Sequence, residues 1–232
     1  MRNLFKLCSL ACLFIAPQIS VADNIRLTTH QLPPYSYIQN NVITGTAVEV
    51  VKCAMNKIPN HSLEIIITPW KRAQSMVRHN TAEGFFAASH NHDRDRYAVM
   101  SEIIAEQKWT WYLLKNNTLD PSIDDFKQKS VVTSFLGANM QKWLLQNDFQ
   151  TINNPPQDNK KLLFFLLSGR VDAILANNQV MNGLIQESGH QEKIRSVLNR
   201  NKPLGVYFAK QFIHDNPAFL PRFNKEVISC RK

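Results

Sequence analysis

Hydrophobic and polar positions in the first half of the chain follow a strand–helix–strand–helix order. Short apolar or alternating stretches at residues 25–29, 63–67 and 85–88 predict strands. Apolar residues recur at helical spacing over residues 46–58 and in the segment opened by Pro69, which predicts two helices. This βαβα order favours a sheet with helices packed on its faces.

The same alternation restarts after a long extended segment at residues 108–114. Further strands are predicted at residues 131–132, 171–176 and 205–209, and helices from 121–126 onward and over 137–147, 160–167 and 178–187. A last helix places Phe219, Phe223 and Val227 four residues apart on one face. The pattern indicates two α/β units followed by a C-terminal tail.

The first 22 residues have the features of an export signal. Arg2 and Lys6 form a short positive region, an apolar run covers residues 7–16, and residues 20–22 are small where a signal peptidase cuts. The apolar run is about half of the roughly 20 residues that a membrane-spanning helix needs. We therefore predict a cleaved signal peptide at residues 1–22 and a periplasmic location for the mature protein.

The four cysteines agree with export. Cys8 and Cys12 lie in the predicted signal, so the mature chain keeps Cys53 and Cys230. Two cysteines in an oxidising compartment most simply form one disulfide, which requires the C-terminal helix to return to the first α/β unit. The alternative of a lipoprotein signal at residues 9–12 is disfavoured because too short an apolar stretch precedes its cysteine.

Charge and motif content exclude several classes of function. The formal net charge of +9 falls to about +7 without the two signal cations, and basic residues are spread singly along the chain. This distribution indicates a solvated cationic surface, so no nucleic-acid partner is expected. No Cys-x-x-Cys or His-Glu-x-x-His motif is present, and the His90-Asn91-His92-Asp93 cluster is interpreted as an exposed polar loop rather than a metal site. We expect no cofactor.

Several short motifs occur in a fixed order along the chain. They are Leu32-Pro33-Pro34-Tyr35-Ser36-Tyr37, Gly45 with Glu49, Pro69-Trp70-Lys71-Arg72-Ala73, residues 84–89, residues 93–101, Gly137, residues 167–173 and Tyr207-Phe208-Ala209-Lys210. In this order they resemble the periplasmic solute-binding family that serves polar amino-acid uptake (family 3). The resemblance covers essentially the whole mature chain.

The resemblance implies a type II periplasmic-binding-protein fold, in which two α/β lobes are joined by two crossing strands. It places these strands at residues 108–114 and near residues 203–207. Lobe one would then comprise residues 23–110 and 206–232, and lobe two residues 111–205. Ligands of such a protein lie between the lobes, at the carboxyl ends of strands.

The resemblance also implies which residues of lobe one bind the ligand. Arg94 falls on the family's carboxylate-binding arginine, whose planar guanidinium can donate two parallel hydrogen bonds. Arg96 is the alternative if the alignment is shifted by two. The resemblance implies four further positions. The Tyr35 ring packs either on the ligand or in the core, and Trp70 either stacks on the ligand or anchors its helix. Ala88 and Ser89 offer a backbone carbonyl and a hydroxyl to the ligand.

Two positions in the second lobe depart from the family pattern. Asn177 stands where the family has an acid that pairs with a ligand ammonium group, and an amide carries no such charge. Gly137-Ala138-Asn139 replaces a Gly-Ser/Thr-Thr element, so one hydroxyl is lost while Gly137, the backbone amides and Asn139 remain. The resemblance thus implies a ligand with a carboxylate, whereas an ordinary α-amino acid is disfavoured.

These inferences predict a monomeric solute-binding protein that captures a small carboxylate-bearing ligand and delivers it to an inner-membrane ABC permease. One alternative is a ligand-binding partner of a signalling receptor. Another is an enzyme of the cyclohexadienyl dehydratase type, which would need a catalytic acid or base facing Arg94. Apart from Asp172, the segments of lobe two expected at the cleft carry no such group, so we predict a protein without enzymatic activity.

Overall fold

The computed structural model describes residues 23–231, so the predicted signal peptide at residues 1–22 lies outside the described part of the chain. This part contains two five-stranded sheets and a two-stranded hairpin. Helices connect the strands and cover the sheets, as the alternating pattern predicts. No helix within residues 23–231 is long and apolar enough to cross a membrane.

The first sheet contains both the first and the last strand of the described chain. Its strands, in spatial order, are β4 (His61–Ile67), β1 (Asp23–Thr29), β5 (Gly84–Ser89), β12 (Leu204–Ala209) and β6 (Ala98–Met100). β1 is parallel to both of its neighbours, whereas β12 is antiparallel to β5 and β6. The carboxyl ends of β1, β4 and β5 therefore meet at one edge of the sheet.

Five helices accompany the first sheet. They are α1 (Thr46–Asn56), α2 (Trp70–Arg78), α3 (His92–Asp95), α8 (Lys210–Asp215) and α9 (Phe219–Cys230). The face of α1 that carries Ala47, Val51 and Ala54 is fully buried, as its spacing predicts. Pro69 is the N-cap of α2, so Trp70 is fixed in the first turn of that helix.

A hairpin that the sequence analysis did not predict joins β1 to α1. Its strands are β2 (Tyr37–Gln39) and β3 (Val42–Thr44), and the two turn residues Asn40 and Asn41 have φ values of 50° and 60°. Asparagine tolerates this left-handed conformation, so the Asn-Asn pair was the available signal. Gly45 follows with φ 126°, and a Cβ there would lie 2.4 Å from the carbonyl oxygen of Tyr35.

The second sheet is formed by the middle of the chain. Its strands, in spatial order, are β11 (Ile194–Asn201), β7 (Lys108–Leu114), β10 (Ala173–Asn177), β8 (Val131–Thr133) and β9 (Gln150–Thr151). Its helices are α4 (Asp125–Lys129), α5 (Asn139–Gln146), α6 (Asn159–Leu167) and α7 (Asn178–Glu187), with a 3₁₀ turn at Gln191–Lys193. The sequence analysis did not predict β11, because half of its residues are charged or amide residues that an edge strand exposes.

Two segments link the sheets, as the two-lobed fold requires. Residues 101–107 run from β6 to β7 and residues 202–203 run from β11 to β12, and the amide of Lys202 donates to the carbonyl oxygen of Gln107 at 2.9 Å. The first crossing was predicted at residues 108–114, but it lies at residues 101–107. Strand β7 pairs with β10 and β11 on its two sides, which holds all of it in the second sheet.

The C-terminal helix returns to the first sheet. Phe223 and Val227 on α9 are fully buried in the same cluster as Val51 and Ala54 of α1. Cys53 and Cys230 are joined in a disulfide with a Cα–Cα distance of 5.9 Å, which confirms the predicted pairing. The bond closes a loop between residues 177 positions apart.

Candidate functional site

The cleft between the two sheets contains a small cavity of about 40 Å³ where β1, β5 and β10 end. The residues that line it are His30, Leu32, Trp70, Ala87, Ala88, Ser89, Arg94, Gln107, Trp109, Phe135, Ala138, Asn139, Met140, Asn159, Asn177 and Leu204. The set includes six of the eight residues predicted to bind ligand. Tyr35 and Gly137 are not in contact with this cavity.

Arg94 is the only charged residue in this lining, and it is 4% exposed. Its Nε donates to Gln74 Oε1 at 3.0 Å and its Nη1 donates to the carbonyl oxygen of Ser89 at 2.7 Å. Its guanidinium lies 5.0 Å from the ring centre of Trp70 and 5.7 Å from that of Phe85. Aromatic faces and neutral oxygens thus hold this cation in place.

No carboxylate within residues 23–231 lies within ion-pair distance of Arg94. Burial lowers its pKa to about 10, so the group remains charged at neutral pH. Arg96, the predicted alternative, is 81% exposed and pairs with Asp93 at 3.3 Å. Of the two arginines, Arg94 alone is placed to meet a ligand in the cleft.

His30 follows β1 directly and lies beside this cation. Its ring centre is 4.4 Å from that of Trp70, and its Nδ1 is buried without a hydrogen-bond partner among the described protein groups. Burial and then the charge of Arg94 lower the pKa of His30 to about 3. The imidazole is therefore neutral at physiological pH and can donate or accept one hydrogen bond in the cleft.

A β-bulge shapes the end of β5. Pairing with β12 shifts register between Phe86 and Ala88, and the intervening Ala87 has φ 58°, which is unusual for a residue with a Cβ. The bulge turns Ala88 and Ser89 toward the cleft, where both line the cavity. Backbone strain of this kind is often found where a strand presents groups to a ligand.

Asn139 at the start of α5 joins the second lobe to this strand end. Its Nδ2 donates to Ser89 Oγ at 2.9 Å and to the Ser89 carbonyl oxygen at 3.2 Å, while its Oδ1 accepts from Asn91 Nδ2 at 2.7 Å. Gly137 lies just before, with φ 85°, and shapes the turn without lining the cavity. Asn139 and Ser89 thus form a direct contact between the two walls of the cleft.

Asn177 occupies the end of β10 and caps α7. Its Oδ1 accepts from the amides of Gln179 at 2.9 Å and Val180 at 3.2 Å, and its Nδ2 donates to Gln107 Oε1 at 2.5 Å. The Tyr35 hydroxyl lies 3.4 Å from the same Oδ1, and it donates to the Glu106 carbonyl oxygen at 2.8 Å. Burial raises the pKa of Tyr35 to about 12, and its ring lies in the core of the first lobe.

The small cavity continues into a wider groove of about 1110 Å³ on one side of the cleft. The two share His30, Trp70, Phe135 and Asn159. The small cavity has room for only a few water molecules. A ligand that contacts Arg94 must therefore extend into the groove or separate Asn139 from Ser89.

Ten of the sixteen lining residues were not among the predicted ligand-binding residues, and they include His30, Gln107 and Trp109. His30 had a usable signal, because it directly follows the first predicted strand, at the carboxyl end where ligands bind. Gln107 and Trp109 had none, because their role depends on the position of the crossing segment. Trp109 is 3% exposed, and its indole Nε1 has no partner among the described protein groups.

Comparison with known proteins gives matches in structure and not in sequence. No protein-family model matches the chain, and no curated protein matches its sequence. An ancestral arginine-binding protein bound to arginine is similar with a TM-score of 0.72 and 17% identity, covering 90% of this chain and 92% of that protein.

Two further solved structures resemble the chain equally well. The GluR0 ligand-binding core from Nostoc punctiforme in complex with L-glutamate has a TM-score of 0.71 and 15% identity, with 88% of this chain and 92% of that one covered. The substrate-binding protein of an amino acid ABC transporter has a TM-score of 0.69 and 15% identity, with coverage of 89% and 92%. At such identities the likeness defines the fold, and this chain therefore has the two-lobed α/β fold of the periplasmic binding proteins.

Proposed function

We propose that this protein is a periplasmic solute-binding protein that captures a small carboxylate-bearing ligand in the cleft and delivers it to an inner-membrane ABC permease. The observation that carries the proposal is Arg94, a buried cation that lines the cavity without a carboxylate of the described residues in contact. A buried charge is costly unless it is paired. A ligand carboxylate would supply the missing partner, and two parallel hydrogen bonds would fix its orientation.

The other groups of the small cavity favour a ligand whose part next to Arg94 has no ammonium group. Among the described residues, no Asp or Glu lines the small cavity, whereas Asp158 and Glu187 line the wider groove. Asn177 and Asn139 lie at the starts of α7 and α5, and neither helix has an acid in its first turn. Helix N-termini carry partial positive charge, so this wall also suits an anion or a neutral acceptor. An ordinary α-amino acid held entirely within the small cavity would leave its ammonium group without a counter-charge.

Capture requires movement of the lobes about the two crossing segments. The direct link from Asn139 to Ser89 would open to admit the ligand, and closure would bury the ligand between the walls. The closed form is the one that a permease would recognise. We propose that the protein acts as a monomer, since the two walls that form the site both come from one chain.

A catalytic role on the same fold is the weaker proposal. It needs a proton donor or acceptor opposite Arg94, and the lining of the small cavity contains only His30 as a titratable neighbour. Since its pKa is lowered to about 3, His30 is a poor base at neutral pH. Asp172 accepts a hydrogen bond from the Val131 amide at 2.7 Å and does not line the cavity. Absence of prephenate and arogenate turnover is expected.

A thermal-shift screen tests the proposal. Purified mature protein is mixed with amino acids, small peptides, organic acids and amines. A ligand at 100 times its dissociation constant adds about 2.7 kcal/mol of stability, which should raise the melting temperature by about 5 °C or more. We expect hits among carboxylates, lost in Arg94→Ala and kept in the matched control Arg96→Ala. Hits confined to amines, or unchanged in Arg94→Ala, would refute the proposal.

A further inference from the structure

Three metal-ligating side chains converge at α3, outside the small cavity. His90 Nε2 lies 2.9 Å from Asp95 Oδ2, and His92 Nδ1 lies 3.5 Å from the same oxygen. All three ligand atoms lie within 4.8 Å of one another. Two atoms bound to one tetrahedral Zn²⁺ at about 2.0–2.2 Å are about 3.4 Å apart, so small rotations of exposed side chains would bring the set into coordination.

The backbone and the carboxylate of this cluster are held in place. Asn91 caps α3, because its Oδ1 accepts from the Asp93 amide at 2.8 Å. The Tyr207 hydroxyl donates to Asp95 Oδ1 at 2.9 Å, which leaves Oδ2 directed toward the two imidazoles. Hydrogen bonds to a ligating carboxylate are typical of metal sites, where they orient the ligand. A solvated polar loop needs no such support.

We propose that His90, His92 and Asp95 form a binding site for a divalent transition metal of the Zn²⁺ type. Two imidazole nitrogens and one carboxylate oxygen suit zinc and its neighbours in the first row, whereas Ca²⁺ and Mg²⁺ prefer oxygen ligands alone. Three protein ligands leave at least one coordination position open. This proposal departs from the interpretation of residues 90–93 as a polar loop without a metal.

The location of the cluster links it to the two lobes. His90 and His92 line a groove of about 190 Å³ whose other wall includes Trp143 and Lys142 of α5. Arg94 lies between His92 and Asp95 on the same short helix. A bound metal would therefore fix the helix that carries the main cation of the cleft. The nearby Lys142 pairs with Asp93, which reduces its repulsion of a metal cation.

Isothermal titration of the untagged mature protein with Zn²⁺ alone tests this site. We expect one ion per chain at micromolar affinity and at least a tenfold loss in His92→Ala and in Asp95→Asn. His92 is 94% exposed, so its removal should leave the fold intact. The matched control is His214→Ala, which removes an exposed histidine paired with Asp215 at 3.1 Å but without a third ligand. This variant should bind Zn²⁺ as the parent does.

Visible absorbance of Co²⁺ gives an independent readout. Co²⁺ bound by nitrogen and oxygen ligands at low coordination number absorbs visible light strongly, whereas hydrated Co²⁺ absorbs weakly. The band should be present in the parent and in His214→Ala, and absent in a His90→Ala/His92→Ala double variant with an unchanged melting temperature. Equal Zn²⁺ affinity in the parent and this double variant would overturn the proposal. The proposal would also be overturned if Zn²⁺ bound stoichiometrically to the parent and only His214→Ala removed this binding.

Discussion

The two walls of the cleft carry charge in different ways. The wall from the first lobe presents Arg94, a buried cation that packs against aromatic rings. The wall from the second lobe presents amides, with Asn139 and Asn177 at the starts of two helices. At the small cavity, the charged group thus lies on one side and neutral hydrogen-bonding groups lie on the other. In the proposed function, this asymmetry would separate the part of the site that supplies affinity from the part that selects the second ligand group.

The lobes also differ in how they are closed. The first lobe contains both ends of the described chain, and the Cys53–Cys230 bond ties its helix α1 to the C-terminal helix α9. The second lobe is a continuous middle segment and relies on packing around Trp111 and Leu144. The wall that positions a buried charge is therefore in the lobe with the covalent tie. Holding Arg94 desolvated requires a rigid frame.

The largest expected effect comes from removing that tie. The double variant Cys53→Ala/Cys230→Ala should lose about 2–5 kcal/mol of unfolding free energy, because the unfolded chain is no longer closed over 177 residues. Urea unfolding measures the loss. Adding a reductant should destabilise the parent to the same extent and leave the double variant unchanged. Equal stability of the parent and the variant would show that packing of α9 on α1 suffices.

Arg94→Lys tests the charged wall next. Lysine keeps the positive charge but cannot donate two parallel hydrogen bonds or lie flat between Trp70 and Ser89. We expect ligand affinity to fall by about 2–4 kcal/mol, a loss of roughly 30-fold to 1000-fold. Titration calorimetry with the best carboxylate from the screen gives the value, and Arg96→Lys should bind as the parent. A loss below threefold would mean that charge alone is recognised.

The sequence could predict which residues lie at the site better than the contacts that they make there. Arg94 and Asn177 were identifiable from the family resemblance, and pairing of Cys53 with Cys230 followed from the number of cysteines in the mature chain. The contacts that give these residues their roles are tertiary. The bond from Asn139 to Ser89 joins residues 50 positions apart. The position of the first crossing segment, at residues 101–107, depends on which strands pair with β7. A local sequence pattern does not contain that information.

The pH dependence of stability tests whether the wall that carries Arg94 tolerates a second positive charge, on His30. The folded protein holds the pKa of His30 at about 3, below the 6.5 of an unfolded histidine, because of burial and then Arg94. The unfolded state therefore gains the proton first as the pH falls, and stability decreases below about pH 6.5. Between pH 7 and pH 5 the loss from this residue should be about 1–2 kcal/mol.

Urea unfolding of His30→Gln at these two pH values measures that contribution. The variant should show a smaller decrease than the parent, since it has no imidazole to protonate in the unfolded state. His79→Gln replaces an exposed histidine on the far end of α2 and should keep the parent's pH dependence. If His30→Gln and the parent lose stability equally, His30 is not buried as a neutral group.

Asn177→Asp would make the amide wall charged, and it has the smallest expected effect. Aspartate caps a helix as well as asparagine does, so the bonds from the Gln179 and Val180 amides should persist and the fold should remain stable. Its donor bond to Gln107 would be lost. The new carboxylate would lie at the cavity, where it can pair with a ligand ammonium group and repel a second ligand anion.

We expect the ratio of dissociation constants for an acid and its α-amino derivative to shift about tenfold toward the amino compound, which is about 1.4 kcal/mol. Titration of both ligands against Asn177→Asp measures it. Asn178→Asp is the matched control, since Asn178 is the next residue but lies outside the cavity lining and accepts from the Lys108 amide at 2.9 Å. Both variants add one negative charge at nearly the same place. If they shift the ratio equally, the change is a long-range effect of net charge. A shift in Asn177→Asp alone assigns selection of the ligand's second group to the amide wall, apart from the cation that binds its carboxylate.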